Sequence, residues 1–415
     1  MSGITALAAF RTRSFRFQWP ADLCTAWALE METLILGWYV LTETGSVVLL
    51  TVFGSLLFVG TLVSPLLGVL GDRLGLRNVL AAMRLWYTLF SCVILFLALT
   101  RQLDPMLVLV VAAMSGLVRP SDIGLRSALV GATVPAGHLV AAMGISRTTH
   151  DSARVGGALA GAGFMATFGM GPAYIAISTI YLTGALLTLL TDGRPGSPSL
   201  PTDQKERPSP WRDLKEGLGY VWRTPRLRAV MSLAALVNLT AFPLTTGLMP
   251  YIARDVFHVD QRGLGWLVAS FAVGAFIGSM SLSLFGAKVR PARTMIATCA
   301  AWHLSLIGFA LSTSLPVAMG MLMLAGACQS LSMITLSIIL LRTAEQRFRG
   351  RIMGVRMLAI YPLPLGLLLA GAMIPKVGYV ATALTLVFTG LVLTLLLAVT
   401  WRDDLIRRDA IGNAI

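Results

Sequence analysis

Five acids and five bases sit inside stretches that are otherwise apolar enough to be buried. The acids are Asp22, Glu30, Glu32, Asp122 and Asp151, the bases are Arg84, Arg119, Arg126, Arg147 and Arg154, and His150 stands among them. All fall in the first half of the chain, and no acid occurs between residues 261 and 344. A carboxyl in apolar surroundings is costly unless it pairs with a base, and it can also take up and release a proton or hold a cationic ligand. Hydrolytic or transfer chemistry has no comparable support. No nucleophile stands with a base in a workable constellation, and no Gly-Lys dipeptide exists to build a phosphate-cradling loop. Cys24, Cys92, Cys299 and Cys328 have neither metal-ligand spacing nor paired loop positions, and read as small packing residues. The expectation is no enzyme, no metal and no cofactor.

Helical geometry sorts these groups into faces. At about 100° per residue, Asp22, Ala26, Glu30 and Thr33 form one stripe, whereas Glu32 lies about 200° round from Glu30 and points almost the opposite way. Arg119, Asp122 and Arg126 fall within about 60° of one another. Arg147, His150, Asp151 and Arg154 make a similar stripe on the next helix. The second half offers neutral groups instead: Asn238, Trp266, Gln329 and Tyr361, the last opening a proline-kinked YPLP (361–364).

The elements that must carry these faces are membrane spans. The chain has 415 residues, 56% hydrophobic and only 13% charged, with mean hydropathy +0.77, far too apolar for a soluble globular protein. Apolar runs long enough to cross about 30 Å of hydrocarbon recur throughout. Twelve are expected, over roughly 17–41, 47–70, 79–99, 106–130, 138–162, 172–190, 226–252, 263–286, 294–313, 316–341, 351–374 and 379–400. With both termini cytoplasmic, only Arg101, Arg254, Arg262 and Lys376 of the basic loop residues fall outside, which satisfies the preference of Lys and Arg for the inner face. The net charge of +14 then belongs to the cytoplasmic surface, and a nucleic-acid partner is not required. Arg11, Arg13 and Arg16 precede the first run as in a leader peptide, but that run is long, acidic and followed at once by another span, so it reads as a retained helix.

Residues 191–210, TDGRPGSPSLPTDQKERPSP, change the composition to that of a linker. WRDLKEGLGYVWRTP follows, with Trp211, Leu214, Leu218 and Val221 on one face, as expected of a helix lying on the inner membrane surface. The expected division is a six-helix bundle at 1–190, a cytoplasmic linker with its surface helix at 191–225, a second six-helix bundle at 226–400 and a tail at 401–415. The halves echo one another: FVGTLVS (58–64) resembles AVGAFIG (272–278), and ALAGAG (158–163) resembles LLAGAM (368–373). Such duplication is the architecture of secondary transporters.

GVLGDRLGLRNVL (68–80), after the second span, resembles the G-x-L-x-D-R-x-G-x-R-x-x-L signature of the major facilitator superfamily. Gly68, Leu70, Asp72, Arg73, Gly75, Arg77 and Leu80 match it. The segments at 216–244, DIGLRSALV (122–130) and RGRIMGV (349–355) resemble the transmembrane secretion effector branch, which includes enterobactin exporters and macrolide-type pumps. The resemblance implies an all-α membrane protein with twelve helices in two bundles. It implies a cytoplasmic gate at Gly68, Asp72, Arg73, Gly75, Arg77, Asp122 and Arg126, and a buried ion-pair role for Arg154. It also implies that the first and fourth helices of each half line a central cavity, which would place Asp22 and Glu30 there and pack Glu32 against a neighbour. Ala158 departs from the G-P-x-x-G motif of many exporters, and GAKVRPARTM (286–295) is a decayed second copy of the signature.

The expected function is export of a small organic molecule across a bacterial inner membrane, coupled to protons, by a monomer embedded in lipid. Asp22, Glu30, Glu32, His150 and Asp151 are the proton-coupling candidates, with Glu30 foremost. Arg119, Arg147, Asn238, Trp266, Gln329 and Tyr361 are the substrate-cavity candidates. Coupled uptake or exchange of a cationic or zwitterionic solute, and lipid flipping, remain as alternatives, because fold alone does not name a substrate.

Overall fold

The computed structural model describes residues 6–61, 64–192, 210–285, 290–345 and 348–403. Most of the expected linker, the end of the tail and residues 286–289 of the second signature copy lie outside the described residues. The first half carries α1 (Arg13–Thr44), α2 (Val47–Leu56), α3 (Ser64–Leu74), α4 (Leu76–Leu99), α5 (Pro105–Thr133), α6 (Ala136–Phe168) and α7 (Met170–Leu189). After the linker come α8 (Pro210–Arg223), α9 (Pro225–Thr240), α10 (Phe242–Thr245), α11 (Met249–Tyr251) and α12 (Gln261–Phe285). The chain continues with α13 (Pro291–Leu311), α14 (Leu315–Thr343), α15 (Arg349–Leu358), α16 (Pro362–Val377) and α17 (Tyr379–Thr400).

Helix ends follow local chemistry. At α5 the Asp104 side chain accepts from the Met106 N–H at 3.2 Å, and Pro105 fills the first turn, where its missing donor does no harm. Gly75 separates α3 from α4 at φ 87, a conformation that a side chain would resist, which is what the signature glycine is for. YPLP interrupts the eleventh expected span, so that α15 ends at Leu358 and α16 starts at Pro362.

Among the described residues, eight helical segments are long and apolar enough to cross a membrane. The other four expected spans are of two kinds. α1 and α6 have 32 and 33 residues but carry charge along their length. The remaining two are interrupted, one between α2 and α3 and the other between α9 and α11.

The described residues cluster into two compact units. One is drawn from residues 1–45, 56–207 and 260–265, the other from 46–55, 208–259 and 266–415. In the first, α1 packs along α6 and α7, and α4 packs along α7. Arg84 of α4, fully buried, meets the Asp22 carboxylate of α1 and the Thr188 hydroxyl of α7, so one guanidinium ties three helices. In the second unit α13 packs along α14 and α17, and α9 along α16 and α17. Here Ser55 of α2 donates to the Pro364 carbonyl of α16 at 3.2 Å.

The echo between the halves has a physical meaning. In the first unit a Cβ on Gly60 would overlap the Leu117 carbonyl, and one on Gly116 would overlap that of Leu56. In the second, Gly274 stands in the same way against the Met323 carbonyl and Gly326 against that of Phe271. Gly60 and Gly274 hold the same place in FVGTLVS and AVGAFIG. Each unit thus contains a crossing at which backbones touch, the packing that small residues permit between membrane helices.

Two stability predictions follow from these contacts. Gly116→Leu or Gly326→Leu should destabilise by about 2 kcal/mol or more and lower the melting temperature in detergent, whereas Gly131→Ala, with open space around it, should not. Asp22→Asn and Arg84→Met should each cost about 3–5 kcal/mol by orphaning a buried charge, and the double variant Asp22→Leu with Arg84→Met should recover most of the loss. Melting curves of the purified variants check both.

Candidate functional site

The polar groups of the first unit assemble into two neighbouring clusters. The first is built on the Asp22–Arg84 pair. Asp22 is 3% exposed and pairs with Arg84, a partner on α4 that helix-one geometry could not reveal. Arg126 Nη2 lies 3.2 Å from Asp122 Oδ2 one turn away on α5, and Gln18 of α1 donates to the Arg126 carbonyl at 3.0 Å. Asp22 feels the charges of both Arg126 and Asp122, so the two ion pairs form one network. Tyr87 of α4 is buried beside Tyr181 of α7, ring centroids 5.6 Å apart, and its hydroxyl has no hydrogen-bond partner among the described residues.

The second cluster centres on Glu32, 7% exposed. Tyr181 of α7 donates to Glu32 Oε2 at 2.7 Å, while Oε1 is buried without a hydrogen-bond partner among the described residues. Tyr174, one α7 face with Tyr181, also approaches this carboxyl, and its own hydroxyl is buried. Arg119 of α5 is near enough to act on Glu32 electrostatically, but its Nη1 donates at 2.8 Å to the hydroxyl of Thr33, the next residue of α1. Glu30 lies on the other side of α1, half-buried, with its Cβ against Gly157 of α6. His150 and Arg154 are half-buried on α6, and Thr149 beside them accepts from Trp19 Nε1 at 2.7 Å. The side chains of Arg147 and Asp151 lie outside the described residues, so the α6 stripe is placed only by its helix.

Of the signature residues, Arg73 is exposed at the end of α3, and Arg77 donates to the Thr191 carbonyl beyond α7 at 3.3 Å. The side chains of Gly68 and Asp72 lie outside the described residues.

The second unit does not gather its candidates into one cluster. Asn238 is buried on α9 and donates back to the Ala234 carbonyl at 2.8 Å, Gln329 is buried on α14, and the Tyr361 hydroxyl is buried without a hydrogen-bond partner among the described residues. Trp266 of α12 is largely exposed. Sequence reading missed His303, fully buried on α13, whose ring nitrogens lie 2.8 Å from the Cys299 carbonyl and 3.2 Å from the Thr240 hydroxyl of α9. Cys299 Sγ reaches Thr394 of α17 at 3.7 Å, so this knot ties three helices. A histidine one turn after a cysteine in an otherwise apolar run was the available signal. Cys92, read as a packing residue, is exposed instead.

Comparison with known proteins places this arrangement. The transmembrane secretion effector family model matches residues 4–408. The multidrug efflux pump Tap of Mycolicibacterium fortuitum is 28% identical over 373 residues, covering 84% of this chain and 86% of that one. Against Tap of Mycobacterium tuberculosis the identity is 29% over 184 residues, and the chain spans 43% of that relative's length. Macrolide efflux protein A of Streptococcus pyogenes is 23% identical over 278 residues, 65% of this chain and 67% of that protein. The crystal structure of the nucleoside transporter NupG superposes with a TM-score of 0.70 at 15% identity, covering 94% of this chain and 98% of that one, a likeness of fold. The chain belongs to the transmembrane secretion effector family of the major facilitator superfamily, and is a multi-pass membrane protein.

Proposed function

We propose that the chain is a proton-coupled exporter of small organic molecules in a bacterial inner membrane. It works by alternating access as a monomer, with twelve crossings in two groups of six on either side of the 191–225 linker and both termini cytoplasmic. Relatives named as multidrug and macrolide efflux pumps support the direction and the class of cargo. The signature around Asp72, with Arg73, Arg77 and the Asp122–Arg126 pair, serves as the cytoplasmic gate.

One observation carries the coupling: the Glu32 carboxyl has one oxygen bonded to Tyr181 and the other buried and unpartnered among the described residues. A proton on Oε1 makes that group neutral, which removes the cost of an unpaired charge in an apolar setting. Ionised, the carboxylate is acceptor-only and needs donors, of which Tyr181 supplies one and Tyr174 stands ready as another. Arg119, held by Thr33, stabilises the ionised form when it shifts to Glu32. Cargo that binds better to the ionised state therefore expels the proton, and the proton expels the cargo from the other access state. The stripe on the opposite side of α1, including Glu30, meets the cargo without exchanging the proton. This reverses the order that the family resemblance implied for the two glutamates.

With a macrolide as probe and purified protein in weakly buffered detergent, wild type and Glu30→Gln should release protons on binding, and Glu32→Gln should not. In proteoliposomes Glu32→Gln should reduce pH-gradient-driven efflux by about tenfold or more while binding changes by about twofold at most. Full proton release by Glu32→Gln, with its loss in Glu30→Gln, would return the coupling role to Glu30.

A further inference from the structure

The surface helix α8 presents two stripes, not one. Gly217 faces α15, where a Cβ would press on Arg351 and Val355, and Val221 one turn on is buried. The same side is locked by the Tyr220–Phe348 ring stack, centroids 4.3 Å apart, and by Glu216, which accepts from Arg351 at 2.9 Å and from Arg212 at 3.1 Å. Val221 therefore belongs to an internal contact and not to the single membrane face that periodicity suggests. Leu218 and Trp222, one turn apart, are left 46% and 68% exposed. Lys215, Arg212 and Arg223 flank them, all exposed.

That combination has one fitting occupant. An outward Trp and Leu beside cations suits the boundary between headgroups and acyl chains, where the indole is half in oil and the cations reach phosphate. Helix α9 begins two residues after α8 ends, so α8 cannot leave the membrane boundary. One turn into α9, Arg228 lies over the Trp401 ring at 5.7 Å, a second aromatic residue at the level where spans meet headgroups. The lock onto α15 prevents α8 from rolling its apolar pair inward. Glu216 is already shared by two arginines, so the patch keeps an excess of positive charge.

We infer that the outer face of α8 is a docking surface for anionic phospholipid, with Leu218 and Trp222 inserted at the headgroup boundary and Arg212, Lys215 and Arg223 taking headgroup phosphates. The reading is independent of the transport cycle. Cations near a charged membrane surface attract anionic headgroups, so their neutralisation should be detectable.

The test uses full-length protein in phosphatidylcholine bilayers containing spin-labelled phosphatidylglycerol or spin-labelled phosphatidylcholine. The wild type should immobilise the phosphatidylglycerol label in preference, by about twofold or more, and the triple variant Arg212→Gln, Lys215→Gln, Arg223→Gln should lose most of that preference with an unchanged melting temperature. Separately, brominated phosphatidylglycerol should quench wild-type tryptophan fluorescence more than that of Trp222→Phe. An unchanged lipid preference in the triple variant, or equal quenching of wild type and Trp222→Phe, would overturn the inference.

Discussion

The first unit depends on the cost of holding charge away from water. Arg84, without solvent exposure, is tolerable only because Asp22 and Thr188 receive it, and that requirement fixes how α1, α4 and α7 lie against one another. Once those helices are set, the rest of α1 is set with them. Glu32 must point to the tyrosines of α7, and Glu30 must lie towards α6. The neighbouring Asp122–Arg126 pair lies close enough for its charges to act on Asp22.

The second unit solves its packing with neutral groups. His303, Thr240, Cys299 and Thr394 link α9, α13 and α17 without a carboxylate, and backbone contact at Gly274 and Gly326 supplies the rest. The asymmetry has a functional consequence under the proposed mechanism. Proton chemistry resides in the first unit, and the second serves as a neutral, mostly apolar counterpart, as an exporter of varied organic molecules requires.

Much of this was legible in the sequence, where the signal was local. Gly75 marked a turn because only glycine adopts φ 87 without strain, and YPLP marked a break because proline removes a helical donor. The echo of FVGTLVS and AVGAFIG announced a repeated crossing, although the opposing Gly116 and Gly326 were visible only in the fold. Periodicity placed Glu30 and Glu32 on opposite sides of α1, yet gave angles relative to each other and not to a neighbour. It could not say that Asp22 would find Arg84, 62 residues away, or that α8 would bury Val221 and leave Trp222 outside. His303 escaped notice for the same reason: its partners come from other helices.

An exchangeable proton on Glu32 is directly observable by infrared difference spectroscopy. The carbonyl-stretch band of a protonated carboxyl should disappear from the wild-type protein when a macrolide binds, persist in the same form in Glu30→Gln, and be absent from Glu32→Gln. A band that survives unchanged in Glu32→Gln and still responds to the macrolide would contradict the account.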